Sequence, residues 1–222
     1  MKKLVVLTGA GMSAESGIST FRDNGGLWEQ YPIEDVASID GWNRNPELVN
    51  SFYNARRKQL ASCLPNIGHI ELVALAKFFD LQIITQNVDD LHERAGSKNV
   101  LHLHGELTKA CNCTKTVVED IGYRAIKLDD VLADSPMRPF IVWFGEAVPL
   151  MDDAIALVQQ ADVFVVIGSS LHVYPAAGLL NFVPLHVPIF VIDPNEVTVS
   201  RKVNFIRDVA STGIVALKSV LL

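Results

Sequence analysis

Cysteine is scarce. Three occur among 222 residues, an odd number that makes no disulfide framework. A reducing compartment, the cytoplasm, is the simplest expectation. Positive charge is not in excess. Nineteen Lys and Arg stand against 25 Asp and Glu, a formal net charge of −6, which argues against nucleic acid as a partner. No apolar run approaches the roughly 20 residues that span a bilayer, so no membrane role is expected. In the opening Met1-Lys2-Lys3-Leu4-Val5-Val6-Leu7 the apolar part is too short for a leader, and it reads as a first strand. No internal repeat or low-complexity tract is visible. Oligomeric state is left open, a monomer included.

The residues that are present describe a globular chain: 49% are apolar and 20% charged. The length suits one sizeable core with a small module added to it. Apolar strand patterns fall at 4–7, 81–85, 100–103, 163–167, 189–192 and 214–217. Helical patterns fall between them, most clearly at 46–60, 69–79, 152–160 and 175–182. Buried β-branched runs alternating with helices predict an α/β fold with a mostly parallel sheet covered on both faces. Two stretches break the rhythm, about 21–64 and about 106–138. The second is polar, carries Cys111 and Cys113, and reads as a small inserted module. Val117, Val118, Ile121, Ile126, Val131 and Leu132 are its candidate core.

Three segments carry the chemistry. After the first strand comes Gly9-Ala10-Gly11-Met12-Ser13-Ala14-Glu15, running on to Phe21, Arg22 and Asp23. A strand that breaks into Gly-x-Gly and enters a helix brings backbone N–H groups close to a phosphate. After the second strand comes Gln86-Asn87-Val88-Asp89-Asp90, and after the third His102-Leu103-His104-Gly105. Each puts polar side chains where open α/β sheets bind ligands. A dehydrogenase fingerprint expects a second strand and an acidic residue about 20 residues after the glycines. Gly25-Gly26-Leu27-Trp28 occupies that space, so an ordinary dinucleotide oxidoreductase is disfavoured.

Taken together, these segments resemble the sirtuins, NAD-dependent protein deacylases. The resemblance extends through 141–146, Gly168-Ser169-Ser170 and Val173-Tyr174-Pro175 and covers nearly the whole chain. It implies a single catalytic domain with a Rossmann-like parallel sheet and a small inserted module. NAD and the acylated lysine of a protein substrate would meet in the cleft between them. In that family NAD is consumed. The acyl oxygen attacks the ribose carbon that carries nicotinamide, and a general base then promotes attack by a ribose hydroxyl, giving free lysine and acyl-ADP-ribose.

The base should titrate near neutrality, which suits histidine. His102 and His104 compete. The family places its base directly before the glycine, which selects His104. Asn87 and Asp89 resemble the pair that holds nicotinamide and orders the ribose. Gly9, Ala10, Gly11, Ser13, Glu15, Phe21, Arg22, Gln86, Gly168, Ser169, Ser170, Asp193 and Ala210 are the implied NAD contacts, with Ser211 nearby. Ser169 stands where the family has Thr, and Asp193 where it often has Asn. Val142, Phe144, Gly145 and Glu146, facing Val173 and Tyr174, resemble the edges that pair with the substrate backbone.

Tyr53 and Arg56 lie three apart in a predicted helix and so share a face. Sirtuins that take acidic acyl groups carry this Tyr-x-x-Arg pair, and a guanidinium with a phenol suits the carboxylate of succinyl- or malonyl-lysine. Ala37 leaves room for the longer chain, and Arg57 is expected to be a solvated neighbour. Most sirtuins hold a structural zinc with two Cys-x-x-Cys pairs. Here only Cys111 and Cys113 fall in the module, against the four ligands zinc requires, so no zinc is expected. The implied activity is removal of succinyl, malonyl and acetyl groups. Mono-ADP-ribosyl transfer and NAD or ADP-ribose sensing are the alternatives.

Overall fold

The computed structural model describes residues 1–18, 31–199 and 201–222. Its centre is a six-stranded, wholly parallel sheet. The strands, in chain order, are β1 (Lys3–Thr8), β2 (Asp80–Thr85), β3 (Val100–His102), β9 (Val163–Ile167), β10 (Ile189–Ile192) and β11 (Asn204–Ile206). They lie in the order β11-β10-β9-β1-β2-β3, so the order reverses between β1 and β9. Ligands of such sheets bind outside the carboxyl ends of the strands at that reversal.

Among the described residues the helices are α1 (Gly11–Ala14), α2 (Ile33–Val36), α3 (Ile39–Arg44), α4 (Pro46–Ser62), α5 (Ile67–Leu75), α6 (Leu91–Ala95), α7 (Met151–Gln159) and α8 (Ala210–Leu221). The segment expected as a helix at 175–182 is a 3-10 helix, Ala176–Phe182. Alternate residues of β1 bury into different clusters. Val5 and Leu7 meet α7 and the 3-10 helix through Ala154, Val158, Leu179 and Leu180. Leu4 and Val6 meet α5 and α8 through Leu72, Leu75, Ile214 and Leu217. Both faces are covered, which is why β1, β9 and β10 carry unbroken apolar runs.

One expected strand is a helix. Residues 214–217 lie inside α8, where Ile214 and Leu217, three apart and fully buried, share a face. A short apolar run fits either structure by period alone. The sixth strand is β11, whose Asn204 is exposed and whose Phe205 and Ile206 are half-buried. An edge strand of this kind carries a weak apolar signal.

Residues 105–141 form the inserted part. An antiparallel sheet joins β5 (Val118–Asp120), β4 (Gly105–Cys111) and β8 (Arg138–Ile141) in that order, and β6 (Val131–Leu132) pairs with β7 (Ser135–Pro136). Its core is Ala110, Ile121, Ile126 and Met137 with Leu132 against them. Val117, Val118 and Val131, expected in that core, are exposed instead. The apolar residues are too few, and buried charge contributes. Arg138, 1% exposed, donates two hydrogen bonds to Glu146 at 2.9 and 3.1 Å. Lys115 adds a third at 2.7 Å and the Trp143 main chain a fourth at 2.8 Å. Burial raises the Glu146 pKa, but these donors outweigh it and hold the carboxyl below its ordinary range.

A structural zinc does not fit the residues present. Among the described residues no three His, Cys, Asp or Glu side chains gather as a metal site. The Cys111 thiol lies 3.8 Å from the Pro139 carbonyl and the Cys113 thiol 3.5 Å from the Pro136 carbonyl. Burial pushes Cys111 up to about 11, away from the thiolate that metals bind.

Glu146→Gln leaves Arg138 buried without its counter-charge and is expected to destabilise the chain by about 3–5 kcal/mol near neutral pH. A depressed carboxyl stabilises above its unfolded pKa, about 4.3, and that contribution is lost as pH falls through the lower folded value. The deficit in denaturant titrations should therefore shrink in acid. A chelator should leave the wild-type melting temperature unchanged; stoichiometric zinc whose removal unfolds the chain would refute this account of the module.

Candidate active site

The crevice starts at a contact between two backbones. After β1 the chain turns at Gly9 and Gly11, and after β9 it turns at Gly168, which has φ +61°. Gly9 N–H donates to Ile167 O at 3.0 Å and Gly11 N–H to Gly168 O at 2.9 Å. A Cβ at Gly9 would lie 2.7 Å from the Gly168 oxygen, and one at Gly11 2.7 Å from the Gly168 Cα. The glycines are thus needed for close packing. Gly9, Gly11 and Met12 spend their N–H groups inside the protein, and Ala10 has the turn's remaining donor, without a partner among the described residues.

The polar residues after β2 lock onto this turn. Asn87 Nδ2 donates to Gly9 O and to Ser13 Oγ, both at 3.0 Å. Ser13, 1% exposed, donates in turn to Asp89 Oδ2 at 2.8 Å. Burial raises the Asp89 pKa, against the Ser13 hydroxyl and Leu91 N–H that stabilise its charge. The Asn87 N–H donates to Thr85 Oγ1 at 3.0 Å, which also accepts from Thr8 Oγ1 at 2.8 Å. His92 Nε2 lies 3.0 Å from Thr8 Oγ1 and completes a buried chain. Ser13, Thr8, Thr85 and His92 are therefore the supports of Asn87 and Asp89. From the sequence, Thr85 and His92 lie in the motif at the end of β2 without a role, and Ser13 is implied as a cofactor contact.

The two histidines are distinguished by their partners. His102 Nδ1 meets the Asn87 carbonyl at 3.1 Å and Nε2 meets Glu93 Oε1 at 2.9 Å. Both partners are acceptors, so both ring nitrogens serve as donors when the ring is charged. Burial opposes that charge, but Glu93 and the Asn87 carbonyl prevail and raise the His102 pKa. His104 follows β3 in a turn. Its Nδ1 faces the Gln86 carbonyl at 3.1 Å, which fixes the proton there and leaves Nε2 as the basic nitrogen. Burial lowers the His104 pKa, the Gln86 carbonyl opposing. Burial thus favours the neutral ring.

The remaining predicted residues fall at the same sheet end. Ser169 Oγ donates to Gln86 Oε1 at 2.9 Å, so these two cofactor candidates hold each other, with Ser170 next in the chain. Asp193 follows β10 and accepts from Asn195 N–H at 2.8 Å. Ala210 begins α8. Glu15 is engaged elsewhere. Both its carboxylate oxygens take Ser211, from its N–H at 2.9 Å and its hydroxyl at 2.6 Å, and cap α8. Phe21 and Arg22 lie outside the described residues.

Tyr53 and Arg56 sit on α4, whose start is capped by Asn45 accepting from Leu48 N–H at 3.0 Å. Tyr53 and Ala37 belong to one apolar cluster with Trp42, Phe52, Leu91 and Trp143. The Arg56 guanidinium is 5.9 Å from the Tyr53 ring centre. Burial lowers the Arg56 pKa, while Tyr53 and Asp89 favour its charge, which places Arg56 within electrostatic reach of Asp89. Arg57 is not solvated, as expected, but fully buried. It donates to Leu107 O at 2.7 Å and Asn54 Oδ1 at 2.8 Å, and so ties α4 to β4. Val142 N–H donates to His104 O, and Phe144 binds Ala37 and Ile39 through its own main chain. Phe144, Val173 and Tyr174 expose apolar surface, whereas Glu146 is consumed by Arg138 and Lys115.

The fold and crevice define a Rossmann-type α/β protein with a histidine, an asparagine and a buried carboxylate at its switch point. Residues 9–175 match the Sir2 family, and the chain belongs to it. It is 53% identical over 231 aligned residues to the NAD-dependent protein deacylase of Bacteroides thetaiotaomicron, covering 100% of this chain and 99% of the relative. It is 52% identical to the protein of the same name from Helicobacter pylori, over 87% of this chain and 85% of that one. A solved Sir2 homologue–NAD complex superposes with a TM-score of 0.88 at 37% identity, covering 100% of this chain and 91% of the other.

His104→Ala is expected to lower kcat at least about a hundredfold while NAD still binds by calorimetry. With His104 as the base, which works unprotonated, the wild-type acid limb is expected to fall with an apparent pKa below about 6.5, the ordinary histidine value. Near-normal turnover of His104→Ala beside an inactive His102→Ala would reverse the two roles.

Proposed function

We propose that the chain is an NAD-dependent protein-lysine deacylase that removes succinyl and malonyl groups as well as acetyl groups. The observation that carries this reading is the pairing of Tyr53 and Arg56 on one face of α4, in the apolar cluster that holds Ala37. The Tyr53 pKa is pushed up to about 12 by burial, so its hydroxyl keeps its proton at neutral pH. A protonated phenol and a guanidinium both donate, and a carboxylate only accepts.

NAD, when bound, supplies the ribose carbon that receives the acyl oxygen, with nicotinamide as leaving group. The crevice has the means to hold it. Ala10 N–H remains for a phosphate oxygen, Gln86 and Ser169 present a linked amide and hydroxyl, and Asp193 suits ribose hydroxyls. Asn87 and Asp89 are held rigidly by Ser13, as a binding group for an amide and a hydroxyl must be. His104 Nε2 takes a proton. The Gly145 main chain remains for an extended peptide, since Val142 N–H and Phe144 are engaged within the chain. Main-chain pairing of this kind tolerates many substrate sequences.

Arg56→Met should lower the ratio of succinyl to acetyl kcat/KM on one peptide sequence. Charge-assisted hydrogen bonds contribute about 1.5–3 kcal/mol each, so the ratio should fall roughly ten- to a hundredfold. Mass spectrometry of the products would show nicotinamide and acyl-ADP-ribose. An equal drop for both acyl groups would move Arg56 from the acyl pocket to a supporting role.

A further inference from the structure

Trp143 lies in the segment 141–146 but has no part in the reaction as described. We propose that it is a positioning residue for acyl selection, its indole N–H fixing the Tyr53 hydroxyl as a donor toward the acyl carboxylate; this rests on the reading of Tyr53 and Arg56 above. Trp143 Nε1 lies 3.0 Å from Tyr53 Oη. An indole N–H only donates, so the phenol oxygen receives and its own proton must point elsewhere. Among the described residues no acceptor takes that proton. Both side chains are 2% exposed, so water is not the ready alternative. An acyl carboxylate would supply the acceptor. A hydroxyl that already accepts a hydrogen bond is also polarised into a better donor.

The orientation of the indole is built in. Its ring stacks on Trp42 with centroids 5.3 Å apart at 29°. The Arg138 guanidinium lies 3.6 Å from its ring centre. Arg138 is held by Glu146, and Glu146 also receives the Trp143 main-chain N–H at 2.8 Å. The ion-pair hub of the inserted module thereby reaches the acyl pocket through one indole. A phenylalanine at 143 would keep a smaller aromatic ring against Trp42 and Arg138 and lose the donor, whereas benzothienylalanine keeps the bicyclic shape and loses only the donor.

The test is a double-mutant cycle with Trp143→Phe, Tyr53→Phe and both together. Each is assayed on succinyl- and acetyl-lysine versions of one peptide. Trp143→Phe should lower the succinyl-to-acetyl ratio of kcat/KM about five- to tenfold, the scale of one hydrogen bond, chiefly through the succinyl KM. The double variant should be no worse in that ratio than Tyr53→Phe, because the indole acts only through the phenol. Benzothienylalanine at 143 replaces N–H by sulfur in a ring of the same shape, and should reproduce the loss should the phenylalanine variant fold poorly. An unchanged ratio, or single-variant losses that multiply, would overturn the role of Trp143. If Arg56→Met still lowers the ratio in that case, the acidic-acyl reading survives; if neither variant moves it, both fall.

Discussion

The site hangs on a place where two chains of backbone touch without side chains between them. The turns after β1 and β9 meet at Gly9, Gly11 and Gly168, at the point where the strand order reverses. Hydrogen bonds from Gly9 and Gly11 close the gap. That contact frees the Gly9 carbonyl to receive Asn87 and sets Ser13 between Asn87 and Asp89. A single Cβ at either glycine would push the turns apart and move every polar group of the crevice with them. The glycines are therefore steric first, and their service to a phosphate is limited to what the packing leaves over.

The same end of the sheet separates two histidines that the sequence presents as near twins. Each rests its Nδ1 on a main-chain carbonyl, and those carbonyls belong to adjacent residues, Gln86 and Asn87. What differs is the second nitrogen. Glu93 takes Nε2 of His102 and favours the charged ring, whereas burial alone dominates at His104 and favours the neutral one. Two imidazoles of opposite tendency, two residues apart, give one group that holds and one that can accept a proton. Stability linked to His102 has the opposite pH sense to proton acceptance by His104. A raised histidine pKa stabilises fully below about 6.5 and ceases to do so as pH rises through the folded value.

Much of this was legible in the sequence because the physics there is local. Three of the six central strands, β1, β9 and β10, carry continuous apolar runs, and the polar residues directly after the strands fall at the sheet's carboxyl edge. What was not legible depends on contacts distant in the chain. The helical residues 214–217 and the edge strand β11 exchange roles because a four-residue apolar run has no period of its own. Glu15 caps a helix 196 positions away. Glu146 gives its carboxylate to Arg138, Lys115 and a main-chain N–H, partners that its place in the sequence does not announce. The valines 117, 118 and 131 look like core, but ion pairs hold the module where they were expected to.

One turn of α4 shows how these levels combine. Tyr53 and Arg56 face the apolar cluster, while Asn54 and Arg57 face the inserted module. Asn54 exchanges hydrogen bonds of 2.8 and 2.9 Å with the Ile126 main chain. Arg57 anchors on Asn54 and Leu107, and among the described residues no ion pair to a carboxylate reaches it; its pKa is lowered to about 10, chiefly by burial and further by Arg124. Neighbouring arginines on one helix thus do different work. Arg57 is spent on main-chain and amide oxygens, which neutralise nothing, and so it remains a structural cation. Arg56 lies between a phenol and a buried carboxylate, in a half-buried setting where a further anion would gain from both its charge and its planar fork.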